Sequence, residues 1–125
     1  MAKKWIVCTP INAEEVNNKD FFNIAPSGKV FQCEQFGEEY AIAYKGHEYI
    51  VTGTDFREVD KPKFMIGEFV KVNSTETYAE IIDIFWHYQK GIPFYIIESN
   101  EKKLSKRYFE HELTKEWRTI EEIRW

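Results

Sequence analysis

Short runs of apolar and β-branched residues, split at close intervals by turn residues, run along most of the chain. Lys29–Phe36, Glu39–Tyr44 and His47–Val51 are such runs, and a glycine follows each within two residues. β-Branched and aromatic residues favour strands, and glycine favours tight turns. In Glu39–Tyr44 three large residues alternate with two alanines, a pattern that predicts a strand covered on both faces.

The second half repeats this pattern. We predict strands over Phe64–Val72, Tyr78–Tyr88, Pro93–Glu98 and Lys102–Tyr108, with a short turn at Phe109–Leu113 that ends the series. Apolar runs of this length, bounded by turn residues, are typical of small barrels and not of alternating strands and helices. The predicted fold is therefore mainly β: one or two small barrels with short helices.

The two ends of the chain carry helix signals. Pro10 stops a first strand, and Asn12 with Glu15 forms a capping-box pattern, so a short helix is predicted near residues 13–20. In the tail, a second capping box at 119–122 and apolar residues at every third position predict a short C-terminal helix. This helix packs either on its own barrel or on a second copy of the chain, in which case the contact residues are Trp117, Ile120 and Trp125.

The two halves end alike. Phe56–Val59 and Phe109–Leu113 each place an aromatic residue before an acidic residue and an aliphatic one. We therefore divide the chain into residues 1–60 and 61–125. The first is a β-rich unit that is either a degenerate duplicate of the second or an unrelated α+β half.

The segment Ile66-Gly-Glu-Phe-Val-Lys-Val72, with the strands after it and the closing Tyr108-Phe-Glu-His-Glu-Leu113, resembles the SH3-like small barrels of bacteria and phages. The resemblance covers residues 63–113 and implies a fold, but no substrate. By analogy it implies an accessory protein of phage or mobile-element type, such as an inhibitor or a neutralising protein.

Composition narrows the functional classes. The net charge is −4, and residues 1–60 carry all of it, with six basic and ten acidic side chains. An acidic chain favours a partner with a basic surface over a polyphosphate. No apolar run is long enough to cross a membrane or act as a signal peptide, so we expect a cytoplasmic protein. Cys8 and Cys33 are then expected to be reduced, half-buried thiols.

Motifs of catalysis are missing from the sequence. It contains no phosphate-binding glycine loop. His47, His87 and His111 have no second ligand at metal-binding spacing, although a thiol of Cys8 or Cys33 with His47 is a conceivable nucleophilic pair. We therefore expect a non-enzymatic binding protein, monomeric or homodimeric, with no cofactor and no metal.

Aromatic residues around the turn at Gly91 form the first candidate site. Strand alternation sends Phe85 and His87 to one face and Trp86 and Tyr88 to the other, and one of these pairs is expected in the core. Aromatic side chains are common anchors of protein interfaces. The residues predicted to contact a partner protein are Trp86, Tyr88, Phe94 and Tyr95.

Two alternatives remain. A nucleic acid is the first, bound by a basic strand with an aromatic residue: Lys102, Lys103, Lys106, Arg107 and Tyr108. The other is a small anionic ligand or nucleotide in a groove between the two units, with Arg57 and Arg107 as clamps.

Overall fold

A computed structural model of the chain describes residues 3–52, 56–99, 102–103 and 106–116. The chain divides into two compact units, Met1–Lys61 and Pro62–Trp125, here called unit 1 and unit 2. Each unit contains one antiparallel sheet. The predicted mainly-β fold is therefore confirmed. The predicted C-terminal helix and the dimer contact through Trp117, Ile120 and Trp125 lie outside the described residues.

Unit 1 is a sheet with two short helices between its first two strands. Its elements are β1 (Lys4–Val7), α1 (Pro10–Glu15), α2 (Lys19–Asn23), β2 (Val30–Phe36), β3 (Glu39–Tyr44), β4 (His47–Val51) and β5 (Arg57–Val59). The strand order is β4-β3-β2-β1-β5, so β1 lies between β2 and the last strand. Tight turns join β2, β3 and β4, and Lys45 and Gly46 both take positive φ between β3 and β4, as a two-residue hairpin turn requires.

The start of α1 differs from the prediction. Thr9 is the N-cap, since its Oγ1 accepts a hydrogen bond from the Asn12 amide at 3.2 Å, and Pro10 is the first helical residue. A proline at this position loses no helical hydrogen bond. Asn12 therefore lies inside the helix. A second cap, Asn18, starts α2 by accepting from the Phe21 amide at 3.0 Å, so two helices replace the one predicted near 13–20.

The core of unit 1 lies on one side of its sheet. Tyr40, Ile42 and Tyr44 are buried on β3, whereas Ala41 is half-buried and Ala43 is exposed. The prediction that β3 is covered on both faces is therefore wrong. This buried face includes Phe31 of β2 and packs against Phe21 of α2, and the centroids of these two rings lie 5.3 Å apart.

Unit 2 has the same arrangement of neighbouring strands. Its elements are β6 (Phe69–Val72), β7 (Thr77–His87), β8 (Ile92–Ser99), β9 (Lys102–Lys103), β10 (Tyr108–Phe109), a 3-10 helix (Glu110–Glu112) and β11 (Leu113–Lys115). The order is β10-β8-β7-β6-β11, with β9 also paired to β8. In both units the first strand lies between the second strand and the last. The duplication and the SH3-like resemblance are compatible with this order and stay predictions.

Tyr95 is at the centre of the unit 2 core and is 0% exposed. Its hydroxyl accepts a hydrogen bond from the Phe64 amide at 3.3 Å, and the two rings meet edge to face with centroids 5.4 Å apart. Burial raises the pKa of Tyr95 above its ordinary value. A buried hydroxyl needs such a partner, because an unpaired one would cost free energy.

Candidate functional site: the outer face of the unit 2 sheet

A β-bulge in β7 decides which side chains leave the core. The pairing of β7 with β8 shifts between Ile81 and Asp83, so that Ile81 and Ile84 are both buried although they are three residues apart. A bulge inserts one unpaired residue and reverses the alternation beyond it. After the bulge, Phe85 and His87 therefore point to the outer face of the sheet.

Phe85, His87, Phe94, Phe109 and His111 form a row of rings on this face, here called the aromatic strip. Phe85 and Phe94 are paired across β7 and β8 and stack with centroids 5.5 Å apart at 11°. Phe94 is paired in turn with Phe109 on β10, with centroids 6.3 Å apart. His87 lies 5.6 Å from the Phe109 ring, and His111 stacks on Phe109 at 6.3 Å. Four of the five residues are half-buried and His111 is exposed.

Two cations lie over the rings of the strip. The Arg107 guanidinium carbon is 5.0 Å from the centre of Phe94, and the Lys90 ammonium is 4.7 Å from the centre of Phe109. Both cationic residues are exposed. A cation over a ring face interacts favourably with the ring quadrupole. The strip thus combines apolar area with two positive charges.

The four residues predicted as a protein contact do not share one surface. Phe94 belongs to the strip, but Tyr95 is in the core, which removes it from any contact surface. Trp86 points to the same face of β7 as the buried Ile84 and is half-buried, and Tyr88 follows β7 in the turn and is 46% exposed. The bulge explains the difference, since it determines which alternate set faces inward.

The predicted basic strand over 102–108 is also divided. Lys102 and Lys103 form β9, whereas Tyr108 begins β10 and is 9% exposed. A ring this buried offers no face for a base to stack on. Lys106 donates to a Glu112 carboxylate oxygen at 3.2 Å, and Arg107 belongs to the rim of the aromatic strip.

Arg57 and Arg107, the predicted anion clamp, belong to different units. Arg57 is exposed on β5, and Arg107 is exposed immediately before β10. The clamp and the groove between the units stay a prediction.

The groups that carry nucleophilic or metal chemistry are not gathered into a site in the part of the chain that the structure describes. Burial raises the pKa of Cys8 to about 12 and that of Cys33 to about 11, which keeps both thiols protonated at neutral pH. Within the described residues, no group of three or more His, Cys, Asp or Glu side chains is placed to hold a metal ion. No helix among them has the length and apolar character needed to span a membrane.

A protein-family model matches residues 9–114, a stretch that takes in both sheets apart from β1 and the last residue of β11. The chain belongs to this family, described as a family of unknown function (DUF6960). No curated protein and no solved structure matches the chain. The aromatic strip of this DUF6960 member therefore rests on its own geometry.

Several residues of the strip were not singled out from the sequence of this DUF6960 member. The sequence places Phe109 in the closing turn and not in a binding site, and it gives Lys90 and His111 no role in the predicted binding sites. A signal for Phe109 exists: in Tyr108-Phe109 the period-two alternation sends one ring inward and the other outward. The sequence does not state which ring points inward.

Proposed function

We propose that the chain is a non-catalytic binding protein and that the aromatic strip is its contact with a partner protein. The observation that carries the proposal is a continuous row of partly exposed rings across three strands, with Arg107 and Lys90 at its rim. Aromatic rings anchor protein interfaces because they bury much area at a small cost in side-chain entropy.

The charge of the strip defines the kind of partner. Arg107 and Lys90 add two cations to an apolar row, and Ile92, 38% exposed, is paired with His87 beside them. A partner surface that is complementary to the strip therefore combines apolar side chains with carboxylates. The SH3-like resemblance implies an inhibitor or a neutralising protein. Such a protein would act by covering a surface of this kind on its partner.

The raised pKa values of Cys8 and Cys33 support a non-catalytic role. A thiol acts as a nucleophile only as the thiolate, and burial disfavours this form at both positions. His47, the proposed partner of a catalytic thiol, is exposed on β4, where its ring lies 6.4 Å from that of Tyr49.

Single-stranded nucleic acid is the second candidate ligand of the same strip. The specific observation in its favour is that two cations lie next to outward-facing rings, an arrangement that can combine phosphate contacts with base stacking. The protein partner ranks first for two reasons. Arg107 and Lys90 already cover one face each of Phe94 and Phe109, and the chain as a whole is acidic.

The test is selection of random 12-residue peptides on the immobilised full chain, with Phe94→Ala/Phe109→Ala as the counter-selected variant. We expect enriched peptides that combine aromatic or aliphatic residues with Asp and Glu. Their affinity should fall about 30-fold in the variant, as for the loss of an interface hot spot of about 2 kcal/mol.

The matched control is Phe22→Ala, which removes an aromatic side chain that is 54% exposed on α2, far from the strip in the sequence and in the other unit. It should leave the affinity within about twofold. Labelled single-stranded DNA and RNA are measured beside the peptides at low and physiological salt. Tight nucleic-acid binding that weakens steeply with salt would show that the ligand of the strip is a nucleic acid and not a protein. No binding of either probe would overturn the role of the strip.

A further inference from the structure

A groove of about 350 Å³ lies on the outer face of the unit 1 sheet, the face opposite the core. Its floor is formed by Ala41 and Ala43 of the central strand β3, which point away from the buried Tyr40, Ile42 and Tyr44. The groove exists because these two side chains are short, whereas the strands on either side carry long ones.

The strand register places the walls. Ala43 is paired with Gln32 on β2 and with Glu48 on β4, and Ala41 is paired with Glu34 and with Ile50 on the same two strands. Directly opposed residues of antiparallel strands point to the same face. Each alanine thus lies between two longer side chains, and the groove runs along β3.

One end of the groove is apolar and exposed. Ile50 is 47% exposed, and Phe36, paired with Glu39 at the start of β3, is 48% exposed. Large apolar side chains exposed together beside a concave floor are a feature of binding grooves. They provide contact area for an apolar residue of a ligand.

The charge of the groove is negative. Three carboxylates line it, those of Glu34, Glu39 and Glu48, against one ammonium group, that of Lys3. Within the described part of the chain, none of the three carboxylates is ion-paired. The walls therefore carry an excess of two negative charges next to exposed apolar side chains, which is complementary to a ligand that alternates cations and apolar groups.

We propose that this groove binds an extended basic segment of a partner protein, in which arginine or lysine alternates with apolar residues. From Glu39 to Ala43 the part of β3 that lines the groove is about 13 Å long, the length of four or five residues of extended chain. In an extended segment successive side chains point to opposite sides. At Ala41 a cation directed at Glu34 on the β2 side therefore places the next, apolar side chain against Ile50 on the β4 side. This site is separate from the aromatic strip and does not depend on its proposed function.

The probe is a fluorescein-labelled hexapeptide of alternating arginine and valine with blocked ends, measured by anisotropy with the full chain. A hexapeptide of glutamate and valine tests charge, and spermine tests a small polycation without apolar groups. We expect the arginine peptide to bind at least about tenfold more tightly than the other two, since both charge and apolar contact contribute.

Two kinds of variant locate the site. Ala43→Phe fills the floor, and Glu34→Gln/Glu48→Gln removes two carboxylates while keeping similar side-chain volumes. Each should weaken binding of the arginine peptide at least about tenfold. Glu14→Gln, an exposed carboxylate on α1 that does not line the groove, is the control and should change the affinity less than about twofold.

Circular dichroism and the melting temperature establish that each variant is folded. Unchanged binding in both groove variants would overturn the proposal. The groove would instead be a site for a small polycation if spermine bound as tightly as the arginine peptide and lost the same affinity in Glu34→Gln/Glu48→Gln. Equal affinity for the glutamate peptide would exclude the charge complementarity on which the proposal depends.

Discussion

Cys8 and Cys33 are 0% and 2% exposed in the core of unit 1, and burial raises the pKa of both thiols from 9.0. In the unfolded chain both ionise near the ordinary value, whereas the folded unit keeps them protonated up to about pH 11 to 12. Above pH 9 the unfolded state therefore binds fewer protons, and stability falls as pH rises.

The free energy of unfolding should decline by up to roughly 1.4 kcal/mol per pH unit for each thiol, and this decline is absent below about pH 8. Urea unfolding under reducing conditions at several pH values between neutral and about 10 measures it. In Cys8→Ala/Cys33→Ala the slope above pH 9 should be smaller, even though the variant is less stable at every pH. An identical slope would show that other groups cause the alkaline loss.

Tyr95 and Phe94 are adjacent in the sequence but have different roles. Both are aromatic and both lie on β8, yet Tyr95 is fully buried with its hydroxyl bonded to the Phe64 amide, and Phe94 is part of the outer strip. Residue type alone predicts an interface role for either. The pairing of β8 with β7 decides between them.

At the scale of elements, the 3-10 helix connects β10 to β11, and hydrogen bonds to the side chain of Glu112 stabilise it. Glu112 accepts a hydrogen bond from the Phe109 amide at 2.9 Å and another from Lys106 at 3.2 Å. The amide of Phe109 is the main reason that the pKa of Glu112 is lowered, and the Lys106 ammonium also contributes. The short helix thereby holds Phe109 at the edge of the strip.

Glu112→Ala should destabilise unit 2 by about 1 kcal/mol near neutral pH, the usual cost of a lost capping interaction. Because the folded pKa is lowered, this contribution is present above the ordinary carboxylate pKa and is lost as pH falls through the folded value. The free energies of unfolding of wild type and variant, measured with urea, should therefore converge as pH falls below the ordinary carboxylate pKa. Glu110→Ala, an exposed residue of the same turn, is the control and should cost less than about 0.5 kcal/mol.

At the scale of the whole molecule, the two candidate surfaces differ in charge. Residues 1–60 have a net charge of −4 and residues 61–125 a net charge of zero, from eleven basic and eleven acidic side chains. The groove of unit 1 has carboxylates in its walls, whereas the strip of unit 2 has cations at its rim. The two proposals therefore predict ligands of opposite charge.

Since each surface is built from one unit only, variants of one should leave the other unchanged. Phe94→Ala/Phe109→Ala should alter the affinity for the arginine–valine peptide by less than about twofold, and Ala43→Phe should leave peptides selected on the strip equally unaffected. Anisotropy titrations of both probes against wild type and both variants measure this. Loss of both affinities in either variant would indicate that the two surfaces are not independent.

Much of the strand pattern was predictable, because it is local. The runs at Val30–Phe36, Glu39–Tyr44 and Thr77–His87 agree with the predicted strands to within a residue or so, and glycine marks the turns after them. The helix near the N-terminus was misplaced because Thr9, not Asn12, provides the capping side chain, in front of a proline at the first helical position. Both residue types cap helices, so the competition between them was not visible in the sequence.

The candidate sites were predictable only in part. An aromatic group around Gly91 and a role for Arg107 followed from the sequence, and Phe94 and Arg107 do meet in the strip. The sequence does not predict the groove, since the alternation in β3 predicts that Ala41 and Ala43 are covered. An alanine fits a covered face and an exposed floor equally well, so composition does not distinguish the two.

The sequence by itself determined a mainly-β chain with closely spaced turns, because β propensity and turn preference are properties of a few neighbouring residues. Only the tertiary structure decided which faces are outward. The bulge after Ile81 reverses the alternation of β7, and the pairing of β8 with β10 brings Phe109 next to Phe94 from fifteen residues away. Both depend on how the core of the whole sheet packs, and this is a sum over distant contacts that no local pattern contains.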